Sequence, residues 1–214
     1  MDLNERKQDG LKSKAHALFD EWRKVFGEEV LDKGFMPIEV EGEFVFPLTN
    51  PDTGEESKIF VESGKRDGVL EDKDGNIWLL EHKTSSEDIT PGSNYWKRLS
   101  IDTQISKYLL SLIHEFPDRQ VMGVVYDVVK KPALRFGTRP VLDDDGKKIV
   151  RDDGGVRVFN KNGTPKQSAS VGTGQYIEVR DETSEEYEQR CRESIEKSDG
   201  FVEIQKIAQT NETL

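Results

Sequence analysis

Apolar residues recur at helical spacing through LKSKAHALFDEWRKVF, residues 11–26, where Leu11, Ala15, Leu18, Phe19, Trp22, Val25 and Phe26 form one stripe. That spacing predicts an amphipathic first helix. The period then shortens to two, first around residues 38–46 and again around 57–67, with NPDTGEE between them. Its Pro, Asp and Gly mark a turn, so the two segments predict a hairpin. Residues 70–86, LEDKDGNIWLLEHKTSS, hold a second turn at Asp74-Gly75 and a strongly apolar strand from Ile77. TPGSNY reads as a loop. From residue 95 or 96 to about 116, Leu99, Ile101, Ile105, Tyr108, Leu109 and Leu112 return to helical spacing, closed by Pro117. VMGVVYDVV is an apolar, β-branched strand.

From about 137 to 175 the chain is rich in Gly, Asp, Lys and Ser with short alternating pieces such as KIV and VRVF. It reads as an extended insertion whose composition suits partial disorder, and no internal repeat is visible. Thr183 followed three residues later by Glu186 is a capping box opening a last helix over 184–197. Near the Asp74-Gly75 turn, Val69 and Leu79 alternate onto one face, and Leu70, Trp78 and Leu80 onto the other. A sheet covered on both sides follows. The expectation is an α/β domain over 1–200, a central mixed sheet flanked by helices, with 137–175 at its periphery and 201–214 as a C-terminal tail.

Length and charge narrow the function. The 214 residues suit one domain, and no run of 18 apolar residues occurs. The start MDLNERKQDG lacks the apolar stretch of a secretory signal, so the protein reads as soluble and cytoplasmic, with no membrane partner. A single cysteine, Cys191, excludes an internal disulfide and a four-cysteine metal site. The net charge of −11 argues against wholesale phosphate binding, yet residues 91–140 hold eight basic against four acidic side chains.

Candidate chemistry centres on the hairpin across Asp74-Gly75, for which two registers compete. A two-residue loop, Asp74-Gly75, sets Asp67 opposite His82 and away from Glu81. A three-residue loop, Lys73-Asp74-Gly75 with Gly75 left-handed, sets Asp67 opposite Glu81, and by alternation Lys83 joins that face. Opposed carboxylates repel by about 0.2–1 kcal/mol on an ordinary sheet, so the pair needs a cation. Lys83 supplies one and a divalent metal would supply a larger one. The plain alternative is a strand end emerging into solvent.

Gly64-Lys65-Arg66-Asp67 followed by Glu81-His82-Lys83-Thr84 resembles the G-x-x-D and D/E-x-K-T motifs of the PD-(D/E)XK nuclease superfamily, in its RecB-like branch. Gln104-Ile105-Ser106-Lys107-Tyr108 matches the Q-x-x-x-Y motif of that branch, in the right order, and GVVYDVVKKPALR looks like a phage-encoded exonuclease subgroup. The resemblance covers roughly residues 11–200 and implies a restriction-endonuclease-like core. The chain reads as short at both ends beside its look-alikes. Relatives with an iron-sulfur cluster carry several cysteines, so no such cluster is expected here.

The resemblance implies Asp67 and Glu81 as Mg²⁺ or Mn²⁺ ligands, with the backbone carbonyl of His82 beside them. Lys83 would face the attacking water and scissile phosphate. Gln104 and Tyr108, one helical turn apart, would position DNA or that water. RecB-like enzymes usually carry a ligand histidine on the first helix. His16 lies there, about 120° from the centre of the apolar stripe by the 100° period. The His82 ring alternates away from Glu81 and reads as structural. Lys97, Arg98, Lys107, Lys130 and Lys131, with Arg135 and Arg139, would line a DNA groove, and Tyr95 and Trp96 would stack on a base. The implied activity is metal-dependent DNA hydrolysis by an exonuclease in phage recombination or replication, in the cytoplasm of a bacterial host. Its partners would be DNA and a single-strand annealing or other recombination protein. The alternatives are a non-catalytic DNA-binding or assembly protein on the same fold, and an endonuclease. Oligomeric state stays open.

Overall fold

A computed structural model describes residues 3–50, 52–99, 102–197 and 200–208. The chain divides into two compact units: His16–Ala133 with Arg192–Leu214, and Met1–Ala15 with Leu134–Cys191. In chain order, helix α1 (Leu3–Phe26) runs eight residues further back than its apolar stripe predicts and ends in a π-helical turn, Gly27–Leu31. Strands β1 (Met36–Val40), β2 (Glu43–Thr49), β3 (Glu56–Lys65), β4 (Gly68–Glu71) and β5 (Ile77–Ser85) follow. Helices α2 (Asn94–Leu99) and α3 (Thr103–Glu115) precede β6 (Val121–Lys130). Short strands β7 (Thr138–Pro140), β8 (Val150–Arg151), β9 (Tyr176–Ile177) and β10 (Val179–Asp181) lead to α4 (Ser184–Glu196) and β11 (Val202–Ala208).

The larger unit is built on a five-stranded mixed sheet in the order β1-β4-β5-β6-β11, in which only β5 and β6 are parallel. Both faces are covered. On one, Val69, Ile77, Leu79, Val124, Tyr126 and Val128 pack against Ile105, Leu109 and Leu112 of α3 and Tyr95 and Trp96 of α2. On the other, Leu70, Trp78, Leu80 and Val125 meet Phe26, Val30 and Phe35, with Trp22 alongside. Alternation along β4 and β5 delivers these two sets, as the apolar pattern requires.

Three expectations about the larger unit need correction. The segment 38–46 is two strands, because Glu41 adopts φ 57° and the side chain of Glu39 occupies the space a Cβ at Gly42 would need. The chain turns there, so β1 pairs with β4 in the central sheet while β2 pairs with β3 in a separate hairpin. The helix expected over 95–116 is also two, since Asp102 takes an extended conformation and caps α3 by accepting from the Gln104 N–H at 3.0 Å. Ile101, counted in its apolar spacing, lies outside the described residues. Finally, the stretch read as a tail supplies β11, which pairs with β6 from Val202↔Val129 to Ala208↔Gly123 and closes one edge of the sheet.

The smaller unit corrects the expectation of an irregular, repeat-free insertion. Asp143, Asp152 and Asn160 each begin the same tight turn, accepting at their backbone carbonyls from the N–H of Gly146, Gly155 and Gly163. All three glycines have positive φ. Asp143 and Asp152 reinforce their turns by accepting two backbone N–H groups each at Oδ1. The polar composition therefore encodes successive hairpins rather than disorder. The capping box holds as expected: Glu186 N–H donates to Thr183 Oγ1 at 3.2 Å, and Thr183 N–H to Glu186 Oε2 at 3.1 Å.

The same Asx turn sets the register of the central hairpin. Asp72 accepts the Gly75 N–H at its carbonyl (2.9 Å) and the Asp74 and Asn76 N–H groups at Oδ1 (3.0 and 2.9 Å). Gly75 has φ 85°, giving a three-residue loop. The ladder then runs Glu71↔Ile77, Leu70↔Trp78, Val69↔Leu79 and Gly68↔Leu80. An L side chain is disfavoured at positive φ by about 1–2 kcal/mol. Gly75→Ala is expected to lower unfolding free energy by that amount, read as an earlier denaturant midpoint at unchanged slope.

Candidate active site

Gly68 stands opposite Leu80, so one step further back Asp67 falls level with Glu81. Asp67 occupies the crossing between the β2–β3 hairpin and the central sheet, and its carbonyl accepts the Glu41 N–H at 2.9 Å. Its Oδ2 accepts the His82 backbone N–H at 2.8 Å. The Gly64 of the same stretch has its own steric reason. It pairs with Phe44, whose ring lies 2.7 Å from where a Cβ would stand, and that ring meets Tyr108 edge-on at 5.6 Å.

Glu81 points to the α3 side of the sheet and is only 3% exposed. Lys83 Nζ lies 2.5 Å from Glu81 Oε1, while Glu81 Oε2 is buried with no hydrogen-bond partner. Burial pushes the Glu81 carboxyl above its ordinary range, against the lowering effect of the Lys83 ammonium, and the charges of Asp67 and Asp102 push the same way as burial. Lys83 Nζ also donates to Gln104 Oε1 at 3.3 Å, and Gln104 Nε2 donates to the Tyr108 hydroxyl at 2.7 Å. Glu81, Lys83, Gln104 and Tyr108 thus form one polar chain from β5 to α3, with Asp67 level with Glu81 at its start and bonded to the His82 backbone. Alternation on β5 and the one-turn spacing on α3 place them there.

His82 points to the other face. Its Nδ1 lies 2.6 Å from Oδ2 of Asp127, which also accepts the Trp22 indole N–H at 2.5 Å. The bond to Asp127 holds the imidazole pKa above its ordinary value, outweighing partial burial.

Other expected site residues are placed elsewhere. Tyr95 and Trp96 are buried in the core, with the Trp96 indole N–H donating to the Ile89 carbonyl at 2.7 Å. They anchor α2 and have no face to offer a base. His16 is exposed on α1, the helix whose Trp22 and Phe26 pack on the face away from Glu81. Among the described residues no group of three or more His, Cys, Asp or Glu side chains is arranged to hold a metal ion, so His16 is not gathered with Asp67 and Glu81. Lys97 and Lys131 are exposed and Lys130 is half-buried. Arg98 pairs with Glu87 at 2.6 Å and Lys107 with Glu62 at 2.9 Å. Surface pairs of this kind contribute only about 0–1 kcal/mol, so a phosphate can replace the carboxylate partner at little cost. Arg135 and Arg139 belong to the smaller unit.

Two acids escaped the sequence reading. Asp102 acts on the charges of both Glu81 and Lys83, and its signal was the Asp-Thr-Gln helix start inside what read as continuous helix. Asp127 is 1% exposed, and its signal was a lone carboxylate within VVYDVV.

Matched against protein-family models and against curated proteins, the chain finds no counterpart. Among the described residues no helix is long and apolar enough to cross a membrane.

Proposed function

We propose that this chain is a metal-dependent DNA phosphodiester hydrolase of the PD-(D/E)XK type. The observation that carries the reading is the buried Glu81 carboxylate, level with Asp67, with Lys83 on one oxygen and nothing on the other. A desolvated, half-paired carboxylate beside a second acid is costly in an apolar sheet unless a cation completes it. Hard oxygen donors suit Mg²⁺ or Mn²⁺, and Asp67, Glu81 and the His82 carbonyl would hold the ion. A divalent cation bound there supplies the Lewis acidity that phosphodiester hydrolysis needs at neutral pH.

The chain's own residues do the rest. Lys83, steadied by Glu81 and Gln104, offers an ammonium where negative charge grows on the phosphate. Gln104 and Tyr108, bonded to each other, present a donor and acceptor pair that orients the strand or the attacking water. Lys97, Lys107, Lys130 and Lys131 draw the backbone toward a site in an otherwise acidic protein. The phage setting, the exonuclease action and a recombination partner rest on the motif resemblance.

The test is incubation of linear duplex and closed circular DNA with Mg²⁺ or Mn²⁺. Metal-dependent degradation of the linear duplex alone is the expected result. Cutting of the circle would make the protein an endonuclease. DNA binding with no cleavage in either metal would overturn the hydrolase reading in favour of a non-catalytic DNA-binding protein.

A further inference from the structure

We propose that Asp127 is a positioning residue for the metal-bearing strand, acting through the His82 imidazole. The inference rests on the metal-centre reading above. Asp127 sits in the middle of β6, directly beside His82 in the parallel β5–β6 pair. It is 1% exposed, and its Oδ1 has no partner while Oδ2 serves both His82 Nδ1 and Trp22 Nε1. An unpaired carboxylate oxygen in a valine-rich strand is expensive, and an apolar side chain would fill that place more cheaply. The cost is explained by what the bond restrains.

The His82 backbone touches Asp67 through the 2.8 Å bond from its N–H to Oδ2. Its carbonyl is the third donor assigned to the metal. Its side chain is 43% exposed, and its ring makes edge and tilted contacts to Trp22 and Phe26 at 6.1 and 6.3 Å. The Asp127 bond therefore locks the rotamer from beneath the sheet. Because side chains alternate, that lock fixes the pleat between Glu81 and Lys83 above it. Support of this kind behind metal ligands typically governs affinity by about 10–100-fold.

The experiment measures Mn²⁺ affinity of the full chain without DNA, from the paramagnetic resonance signal of free Mn²⁺, with thermal melting as the check on folding. Asp127→Asn and His82→Ala are each expected to weaken Mn²⁺ binding by about 10–100-fold. The double variant should lose no more than either single one, since both remove the same link. Trp22→Phe, which spares the Asp127–His82 bond, is expected to lower the melting temperature and leave Mn²⁺ affinity unchanged. Wild-type affinity in Asp127→Asn, or losses that add in the double variant, overturns the inference. Should Asp127→Asn fail to fold, wild-type affinity in His82→Ala overturns it equally. Glu81→Ala separates the two levels. If it binds Mn²⁺ as the wild type does, the metal-centre reading falls and this inference with it; if it abolishes binding while Asp127→Asn does not, only the positioning role is lost.

Discussion

Lys83→Ala is expected to reduce metal-supported cleavage of linear duplex DNA by about 10²–10³-fold, the range lost when one preorganised donor is removed from a site of developing negative charge. The same change should leave Mn²⁺ affinity undiminished. Lys83 lies 2.5 Å from Glu81, so it competes with any cation for that carboxylate, and removing it relieves like-charge repulsion at the metal position. Glu81→Gln should behave oppositely and lose metal affinity and cleavage together. Single-turnover cleavage and metal titration on the two variants separate an ammonium that serves the phosphate from a carboxylate that serves the cation. Full cleavage by Lys83→Ala would remove the assigned chemistry whatever the metal does.

Arg66→Ala is expected to cost roughly 3 kcal/mol of stability, the low end for breaking a buried ion pair. Arg66, beside Asp67, is the largest fully buried side chain among the described residues. Its guanidinium reaches Glu39 (2.9 and 3.1 Å), Glu115 (2.6 Å) and Ser111 (3.1 Å), joining β1 and α3 at the crossing where Asp67 is presented. The low end applies because Glu115 is 44% exposed and water can recover part of its solvation. Arg66→Lys should recover little, since a point charge cannot span three acceptors at fixed fork geometry. Urea unfolding measures both. A loss below 1 kcal/mol in Arg66→Ala would mean that the cluster is solvated and does not brace the crossing. The expected companion effect is weaker metal affinity, through Asp67.

The turn at Asp74-Gly75 was legible because local chemistry governs it, while its two-residue and three-residue registers both stayed open. Asp72 and Gly75 encode the three-residue loop, and once the loop length is set, period-two alternation assigns every side chain of β4 and β5 to a face. The capping box of α4 was legible for the same reason. The breaks at Glu41-Gly42 and at Asp102 were not, because the apolar spacing gives no sign of either and only the partners of the flanking segments separate them. Tyr95 and Trp96 show the limit in another way. Aromatic residues in a basic stretch are equally suited to a base and to a core, and the decision lies with Ile89 and the α3 face, far from them in pattern.

Order and spacing of residues along the chain were enough to specify the alternating two-faced sheet, the turn at Asp74-Gly75 and the capping box of α4, since each depends on steric and hydrogen-bonding rules reaching only a few residues, while the register that aligns Asp67 with Glu81 and Lys83 and the Asx-Gly hairpins of the smaller unit came from the structure. Which carboxylate lost its water, which aromatic rings went inside, and which buried aspartate came to stand behind His82 were settled by packing between segments distant in the chain. Desolvation and pairing belong to the whole assembled interior, so those choices could be read only once α1, α3 and the sheet were in contact.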